Sequence, residues 1–187
     1  VKILILIENI IPYQLARISS SNKNIVIGVS SLKDSFSVLS QSLPVNNFEV
    51  FNFKEKSLVE FKKFLIQKRI DCIFTSGYNF KLSLIALLCK KQFKNLLVYA
   101  CCESNEYDCK RNFIIEFMKK NILKCFDGFL VGSVDHESYI KKIIGQNEKL
   151  NIHKGYNVID NSHFAQITNN TKNKVFHFLS VGRFERK

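Results

Sequence analysis

The sequence contains little glycine, and none in the turn where a dinucleotide-binding protein would need it. Only seven of the 187 residues are glycine, and the segment Glu8–Gln14, which follows the first apolar run, has no glycine at all. A dinucleotide site at that turn requires a G-x-G-x-x-G pattern, because the backbone must approach the pyrophosphate closely. The sequence therefore argues against an ordinary NAD or FAD site, and we expect no cofactor.

Metal-ligand spacing is also missing. The six cysteines form no C-x-x-C pair, and the four histidines share no spacing typical of a zinc finger or a catalytic triad. Several cysteines lie inside apolar runs, so we predict reduced, buried, structural thiols and no metal site. The cysteines are Cys72, Cys89, Cys101, Cys102, Cys109 and Cys125.

Long hydrophobic runs are absent as well. The apolar run at Val1–Glu8 is too short for a signal peptide and is followed by a glutamate and a proline, with no small-residue cleavage site. No segment approaches the length of a membrane span. We therefore expect a cytoplasmic protein, with peripheral attachment to the inner face of the membrane as a compatible variant.

Acidic residues are few compared with basic ones. The chain has 28 Lys and Arg against 16 Asp and Glu, for a formal net charge of +12. This balance favours anionic partners, namely nucleotide phosphates, an acidic membrane surface or nucleic acid. A coding bias towards Lys, Asn, Ile and Phe explains it equally well. The lysines are spread along the chain and not gathered in one tail, so we do not expect nucleic acid.

Strands and helices alternate along the sequence. This alternation predicts a doubly wound α/β domain, with a parallel sheet covered by helices on both faces. Strands are predicted at Lys2–Ile7, Asn24–Val29, Phe48–Phe53, Asp71–Thr75, Asn95–Cys101, Gly128–Gly132 and Leu150–His153. Helices are predicted from near Pro12, at Leu58–Lys68 with a capping box of Ser57 and Glu60, and at Leu82–Leu88, Asn112–Cys125 and His136–Ile144.

In such a sheet, ligands bind beyond the carboxyl ends of the strands. Polar residues that follow predicted strands are therefore the candidates for lining an acceptor site or cleft. They are Tyr13, Gln14, Arg17, Glu103, Ser104, Asp108, Arg111, Ser133 and Asn157. Glu103, Ser104 and Asp108 can accept hydrogen bonds from sugar hydroxyls, and Arg111 can pair with an anion. Structural alternatives stay open: Arg17 as a solvated helix residue, Asp108 and Ser133 as helix caps, and Asn157 as a turn residue.

The C-terminal region has a distinctive order of segments. A polar turn runs from Gly155 to Phe164, a polar segment without periodicity follows, and an apolar strand then ends in Gly182-Arg183 with further cations. We interpret residues 1–165 as one domain, 166–174 as a linker and 175–187 as the incomplete start of a second domain.

This order resembles the retaining glycosyltransferases of family 4, which have the two-domain GT-B fold. The resemblance is carried by Asn157-x-x-Asp160-x-x-x-Phe164 and the strand ending Val181-Gly182-Arg183-Phe184, and upstream by Glu103–Asp108 and Phe126–Ser133. It implies that the N-terminal, Rossmann-like domain binds the acceptor and that the second domain binds a nucleotide-diphosphate sugar. The fold predicted from it is thus the N-terminal domain of a GT-B enzyme, truncated at the start of the second domain.

The resemblance also implies roles for individual residues. Gly182 and Arg183, with Lys187, would bind the donor diphosphate, since preorganised cations stabilise a departing phosphate. The family usually places that lysine five residues after the arginine, whereas Lys187 is four after Arg183. A histidine that many members carry before the Glu103 loop has no counterpart here, so no catalytic residue is assigned.

The implied function is transfer of a sugar from a nucleotide-diphosphate sugar to a glycan or lipid-linked acceptor, in cell-surface polysaccharide or glycolipid synthesis. The chain of 187 residues is expected to be inactive by itself. Two alternatives stay open: a nucleotide-sugar epimerase with the same fold, and a basic module that binds a membrane or nucleic acid through Lys119, Lys120, Lys124 and the pair Lys141-Lys142.

Overall fold

A computed structural model describes residues 1–8, 18, 24–29, 49–53, 56–77, 80–106, 112–145 and 150–155. These residues form a seven-stranded sheet with helices packed on it. The strands are β1 (Ile3–Ile7), β2 (Ile25–Val29), β3 (Glu49–Asn52), β4 (Cys72–Ser76), β5 (Leu97–Cys102), β6 (Gly128–Val131) and β7 (Ile152–Lys154). Within the described residues, the helices with defined bounds are α1 (Leu58–Lys68), α2 (Phe80–Lys90), α3 (Phe113–Leu123) and α4 (Val134–Ile144).

All neighbouring strands of the sheet are parallel, in the order β3-β2-β1-β4-β5-β6-β7. The chain moves outward from β1 to β3, then returns to the other side of β1 and continues to β7. The order therefore reverses between β1 and β4, whose register pairs Leu6 with Thr75. This arrangement confirms the predicted doubly wound α/β fold and places its topological switch point beside β1.

The apolar run in β1 is buried on both faces of the sheet. Leu4 and Leu6 belong to the larger core cluster, whereas Ile7 belongs to a second cluster with Ile27 and Val29. Successive side chains of a strand point to opposite faces, so two clusters that share one strand lie on opposite sides of the sheet. Such double coverage explains why β1 is continuously apolar and does not alternate.

Helix α1 forms where the capping pattern predicted it. The Ser57 side chain accepts a hydrogen bond from the Glu60 backbone N–H at 3.2 Å, and the Glu60 carboxylate accepts one from the Ser57 backbone N–H at 2.9 Å. The hydrogen bonds that this carboxylate accepts from the Ser57 backbone N–H, from Lys56 and from the Ser57 hydroxyl lower the pKa of Glu60 to about 2. Phe61, Phe64 and Leu65 form the buried side of the helix.

Several local expectations differ from the structure. Asn112, and not Asp108, is the N-cap of α3, because its side chain accepts from the Ile114 backbone N–H at 2.9 Å. Helix α4 begins at Val134, two residues before the predicted start, since its N-cap is Ser133. Cys125 is exposed, although the sequence predicted buried thiols.

The other described cysteines match that expectation. Cys72, Cys89, Cys101 and Cys102 are buried. Burial raises the pKa of Cys72 to about 12 and that of Cys89 to about 11, and it also raises the pKa of Cys102. These thiols therefore act as small apolar side chains and not as nucleophiles at neutral pH. Cys109 lies outside the described residues.

Candidate functional site

Polar residues gather where the central strands end. Because the strands are parallel and in register, their carboxyl ends meet at one edge of the sheet, about 4.8 Å apart from neighbour to neighbour. This carboxyl edge carries Glu8 after β1, Ser76 and Gly77 at the end of β4, Glu103 and Ser104 after β5, and Ser133 after β6. A ligand that bound at the switch point would rest on these side chains.

The turn after β4 is fixed by a buried hydroxyl. Thr75 is fully buried, and its Oγ1 lies 2.9 Å from the carbonyl oxygen of Gly77 and 3.4 Å from that of Tyr99. Gly77 has φ +70°, a left-handed conformation that glycine adopts without strain. Thr75 and Gly77 therefore hold the chain in a tight turn directly beside the switch point. The sequence identified this strand end but did not indicate the role of Thr75.

The segment after β5 changes from apolar to polar within two residues. Cys101 and Cys102 are buried, whereas Glu103 is exposed and Ser104 is half-buried. Further along, Glu106 pairs with Lys142 of α4. This ion pair links the loop to α4, so that Glu103 and Ser104 lie on a segment held at both ends. Glu103 and Ser104 thus lie directly after β5, as the sequence predicted, and their binding of hydroxyl groups stays a prediction.

Ser133 lies at the carboxyl edge, and its hydroxyl caps α4. It accepts a hydrogen bond from the His136 backbone N–H at 3.3 Å. Two carboxylates, Asp135 and Glu137, occupy the first turn of α4 and meet the positive end of the helix. Ser133 is therefore a helix cap, as the structural alternative stated. A ligand anion at the start of α4 would compete with the protein's own carboxylates. His136 Nδ1 is shielded from solvent and makes no hydrogen bond to any described residue.

The described part of the carboxyl edge is rich in hydrogen-bond acceptors and poor in cations. Glu8 and Glu103 supply carboxylates, and Ser76, Ser104 and Ser133 supply hydroxyls. Such groups suit a ligand with many hydroxyls better than a diphosphate. Among the residues that the structure describes, no three His, Cys, Asp or Glu side chains converge as metal ligands would.

The remaining sequence-predicted site residues lie outside the described residues. They are Tyr13, Gln14, Arg17, Asp108, Arg111, Asn157, Gly182, Arg183 and Lys187. The predicted linker and second domain at 166–187 also lie outside them. Of the predicted set, the structure thus brings Glu103, Ser104 and Ser133 to one edge of the sheet.

A polar cluster between α3 and α4 was missed by the sequence analysis. The ammonium group of Lys119 donates to the Tyr139 hydroxyl at 3.0 Å and lies 3.3 Å from the Glu116 carboxylate, which in turn accepts from that hydroxyl at 3.3 Å. The spacing of Glu116 and Lys119, three residues apart on one helix, is a signal for such a pair. The partner Tyr139, 20 residues further on, could be found only from the fold.

Comparison with known proteins gives a likeness to solved structures. No protein-family model and no curated protein matches the chain. Among solved structures, the chain is similar to the UDP-GlcNAc 2-epimerase from Methanocaldococcus jannaschii, with a TM-score of 0.56 and 15% sequence identity. The aligned region covers 82% of this chain and 45% of that protein, so the chain spans less than half the length of its structural neighbour.

At this identity the likeness concerns the fold. It supports a Rossmann-like α/β fold, in agreement with the fold expected from the sequence. The neighbour is an epimerase and not a family 4 glycosyltransferase, so membership of family 4 stays a prediction.

Proposed function

We propose that the chain is the acceptor-binding half of a retaining glycosyltransferase of family 4, which moves a sugar from a nucleotide-diphosphate sugar to a glycan or lipid-linked acceptor. The observation that carries this proposal is the carboxyl edge at the switch point of a GT-B-like domain. This edge is rich in hydrogen-bond acceptors. Its carboxylates and hydroxyls, Glu103 and Ser104 among them, suit the hydroxyls of a sugar acceptor.

The donor would be held by the segment that begins the second domain. Gly182 would allow close approach of the backbone, and Arg183 with Lys187 would neutralise the diphosphate. In the reaction, the bond between the sugar's anomeric carbon and the phosphate oxygen breaks. A new bond forms from that carbon to the oxygen of an acceptor hydroxyl, and a nucleoside diphosphate leaves with the bonding electron pair and takes up the proton that the hydroxyl loses. Cations in a water-poor cleft stabilise the charge that gathers on the departing phosphate.

The proposal places the reaction on the cytoplasmic side of a membrane, where a lipid-linked acceptor for surface polysaccharide or glycolipid would be available. No helix formed by the described residues is long and apolar enough to cross a membrane. Association with the bilayer would therefore be peripheral for the part of the chain described here.

The test is release of nucleoside diphosphate by protein extended through the proposed second domain, with and without an acceptor mixture. We expect release that depends on the acceptor, and a loss of at least about a hundredfold for Arg183→Ala, the size seen when one preorganised donor to a developing oxyanion is removed. Unchanged turnover in Arg183→Ala would contradict the assignment of the donor site. We also expect the chain of 187 residues alone to transfer little sugar, and robust transfer by it would contradict the division into two halves.

A second candidate is a nucleotide-sugar epimerase, which the structural neighbour favours. The fold alone cannot choose, because one scaffold supports both reactions. The two reactions differ in mass balance: an epimerase converts the nucleotide sugar into an isomer of equal mass and needs no acceptor. Isomer formation without an acceptor, followed by NMR of the sugar protons, would favour the epimerase over the transferase.

A further inference from the structure

Helix α3 exposes most of its large apolar side chains. Phe113 is 84% exposed and Ile114 is 66% exposed, and Ile115, Phe117 and Met118 are exposed as well. Leu123 is the single buried residue of this 11-residue helix. Scattered apolar residues on a surface are normal, but a contiguous set of this kind marks an interaction surface.

The exposed aromatic rings line a groove. A cavity of about 370 Å³ lies between α3 and α4. Phe113 and Phe117 form one wall, and Tyr139 and Ile143 form the other. The charged residues around it are Glu106, Glu116, Lys120 and Lys142. The surface therefore combines an apolar floor with a charged rim.

Lysines continue the line of aromatic residues along α3. Phe113, Phe117, Lys120 and Lys124 follow at spacings of four, three and four residues, which places them along one side of a helix. The aromatic half lies near the carboxyl edge of the sheet, and both lysines at the other end are exposed. The two carboxylates near this line have cationic partners, since Glu116 lies 3.3 Å from Lys119 and Glu106 pairs with Lys142.

We propose that the exposed face of α3, together with the groove against α4, docks onto a bilayer that contains anionic phospholipid. The choice of occupant follows from charge: an apolar helix face with lysines, on a chain of net charge +12, complements anionic headgroups above hydrocarbon. An 11-residue helix is about 16 Å long, too short to span a bilayer but sufficient to lie in its interface. This docking surface rests on the proposed function, which places the protein at a membrane. Its test measures vesicle binding and does not depend on sugar transfer.

The docking surface would place the carboxyl edge close to the membrane. The N-terminus of α3 lies on the side of the sheet where the strands end, so Phe113 and Glu103 lie towards the same edge. An acceptor anchored in the bilayer would then reach the edge without leaving the membrane.

The chain contains no tryptophan, which allows a direct test. Phe117→Trp places a single fluorescent indole on the docking surface, and Val59→Trp places one on α1, at a side chain of similar exposure. Each variant is mixed with vesicles of pure phosphatidylcholine, or of phosphatidylcholine with about one third phosphatidylglycerol, whose anionic headgroups attract lysines near the surface. We expect a blue shift and quenching by brominated lipid for Phe117→Trp on the anionic vesicles, and neither change for Val59→Trp.

A sedimentation assay with the same vesicles separates the apolar and charged contributions. Phe113→Ala combined with Phe117→Ala should lower the partition coefficient at least about tenfold, because binding scales with the apolar area that enters the interface. The matched control, Val59→Ala combined with Ile66→Ala on α1, should leave it unchanged. Lys120→Gln combined with Lys124→Gln should lower it about tenfold on anionic vesicles only, and 0.5 M salt should have a similar effect, an order-of-magnitude expectation from screening.

Three outcomes would overturn the proposal: no binding to either vesicle, equal loss in the α1 control, or binding that the two phenylalanine substitutions leave intact. Analytical ultracentrifugation tests the alternative occupant, a second copy of the chain. A dimer that dissociates in the phenylalanine variant, without vesicle binding by the parent chain, would assign the surface to a second copy and refute the membrane. If the protein extended through the proposed second domain binds the vesicles but transfers no sugar, that result counts against the proposed function and not against this surface.

Discussion

Helices α3 and α4 have the same length, 11 residues, and contact each other, but they relate to the core in opposite ways. Helix α4 buries Tyr139, Ile140, Ile143 and Ile144, whereas α3 buries Leu123 alone. The sequence of α3 is the more apolar, so its exposure does not follow from lack of hydrophobic residues. The apolar content of a helix therefore does not tell which of its side chains the rest of the protein buries.

The largest effect expected from this comparison comes from one substitution made in both helices. Ile140→Ala removes a fully buried side chain of α4 and should lower the free energy of unfolding by about 2–5 kcal/mol. Ile114→Ala removes an exposed side chain of α3 and should change it by less than about 0.5 kcal/mol, since alanine is also the better helix former. Urea denaturation of both variants measures the difference.

Ile140→Val serves as a second variant in case Ile140→Ala does not fold. It should lower the free energy of unfolding by only about 1 kcal/mol. If Ile114→Ala were as destabilising as Ile140→Ala, α3 would be covered by part of the chain, and the contrast between the helices would be false.

The next effect concerns the helix caps. Ser133→Ala and Asn112→Ala each remove a side chain that accepts a backbone N–H, which costs about 1 kcal/mol of helix stability. Because α4 is part of the core, Ser133→Ala should lower global stability. Because α3 is attached by few buried contacts, Asn112→Ala should act mainly by local fraying.

Amide hydrogen exchange distinguishes the two responses. We expect faster exchange confined to α3 in Asn112→Ala, and faster exchange across the core in Ser133→Ala. Global loss of protection in Asn112→Ala would indicate that α3 unfolds only together with the sheet.

Several elements could be predicted from sequence because local chemistry determines them. The Ser57–Glu60 capping box, the continuous apolar run of β1 and the serine before α4 each carry their own signal. From these the alternation of strands and helices followed, and with it the parallel sheet and its carboxyl edge. Glu103 and Ser104 were found in the same way, as polar residues directly after an apolar strand.

What sequence could not supply depends on long-range contacts. The periodicity of Phe113, Phe117 and Leu123 predicted helix α3 correctly, but it could not tell that the two aromatic rings face solvent and the leucine faces the core. Asp108 and Asn112 are equally good cap residues, so only the position of the first helical turn decides between them. Thr75 gave no signal because its role depends on a turn and on a neighbouring strand.

A smaller effect is expected at the link between the two helices. Tyr139→Phe removes the hydroxyl that accepts from Lys119 at 3.0 Å and contacts Glu116 at 3.3 Å. Lys119 and Glu116 can still pair with each other, so the loss should stay below about 1 kcal/mol. Tyr99→Phe is the matched control, since its hydroxyl accepts only an exposed bond from Asn151 at 3.2 Å, and it should cost less. Thermal denaturation of the two variants shows which substitution lowers the stability more. If Tyr99→Phe lowers it more than Tyr139→Phe, the polar cluster does not help to join α3 to α4.

The smallest effect depends on pH and concerns α4 and its ion pair with β7. Hydrogen bonds from Lys141 and Lys154 lower the pKa of Glu137 below its ordinary value of 4.5. The folded protein therefore binds a proton at Glu137 less readily than the unfolded chain does. The stabilisation is complete above the ordinary pKa and is lost as pH falls through the lowered value.

Glu137→Gln should thus melt slightly below the parent protein at pH 7, with the gap closing as the pH is lowered below 4.5. High salt at pH 7 should narrow the same gap, because both ion pairs are partly exposed to solvent. A gap that stayed constant across pH and salt would mean that the packing of the Glu137 side chain, and not its charge, supports the first turn of α4. The ion pairs of Glu137 with Lys141 and Lys154 would then contribute nothing to the stability of α4, and its contrast with α3 would not depend on them.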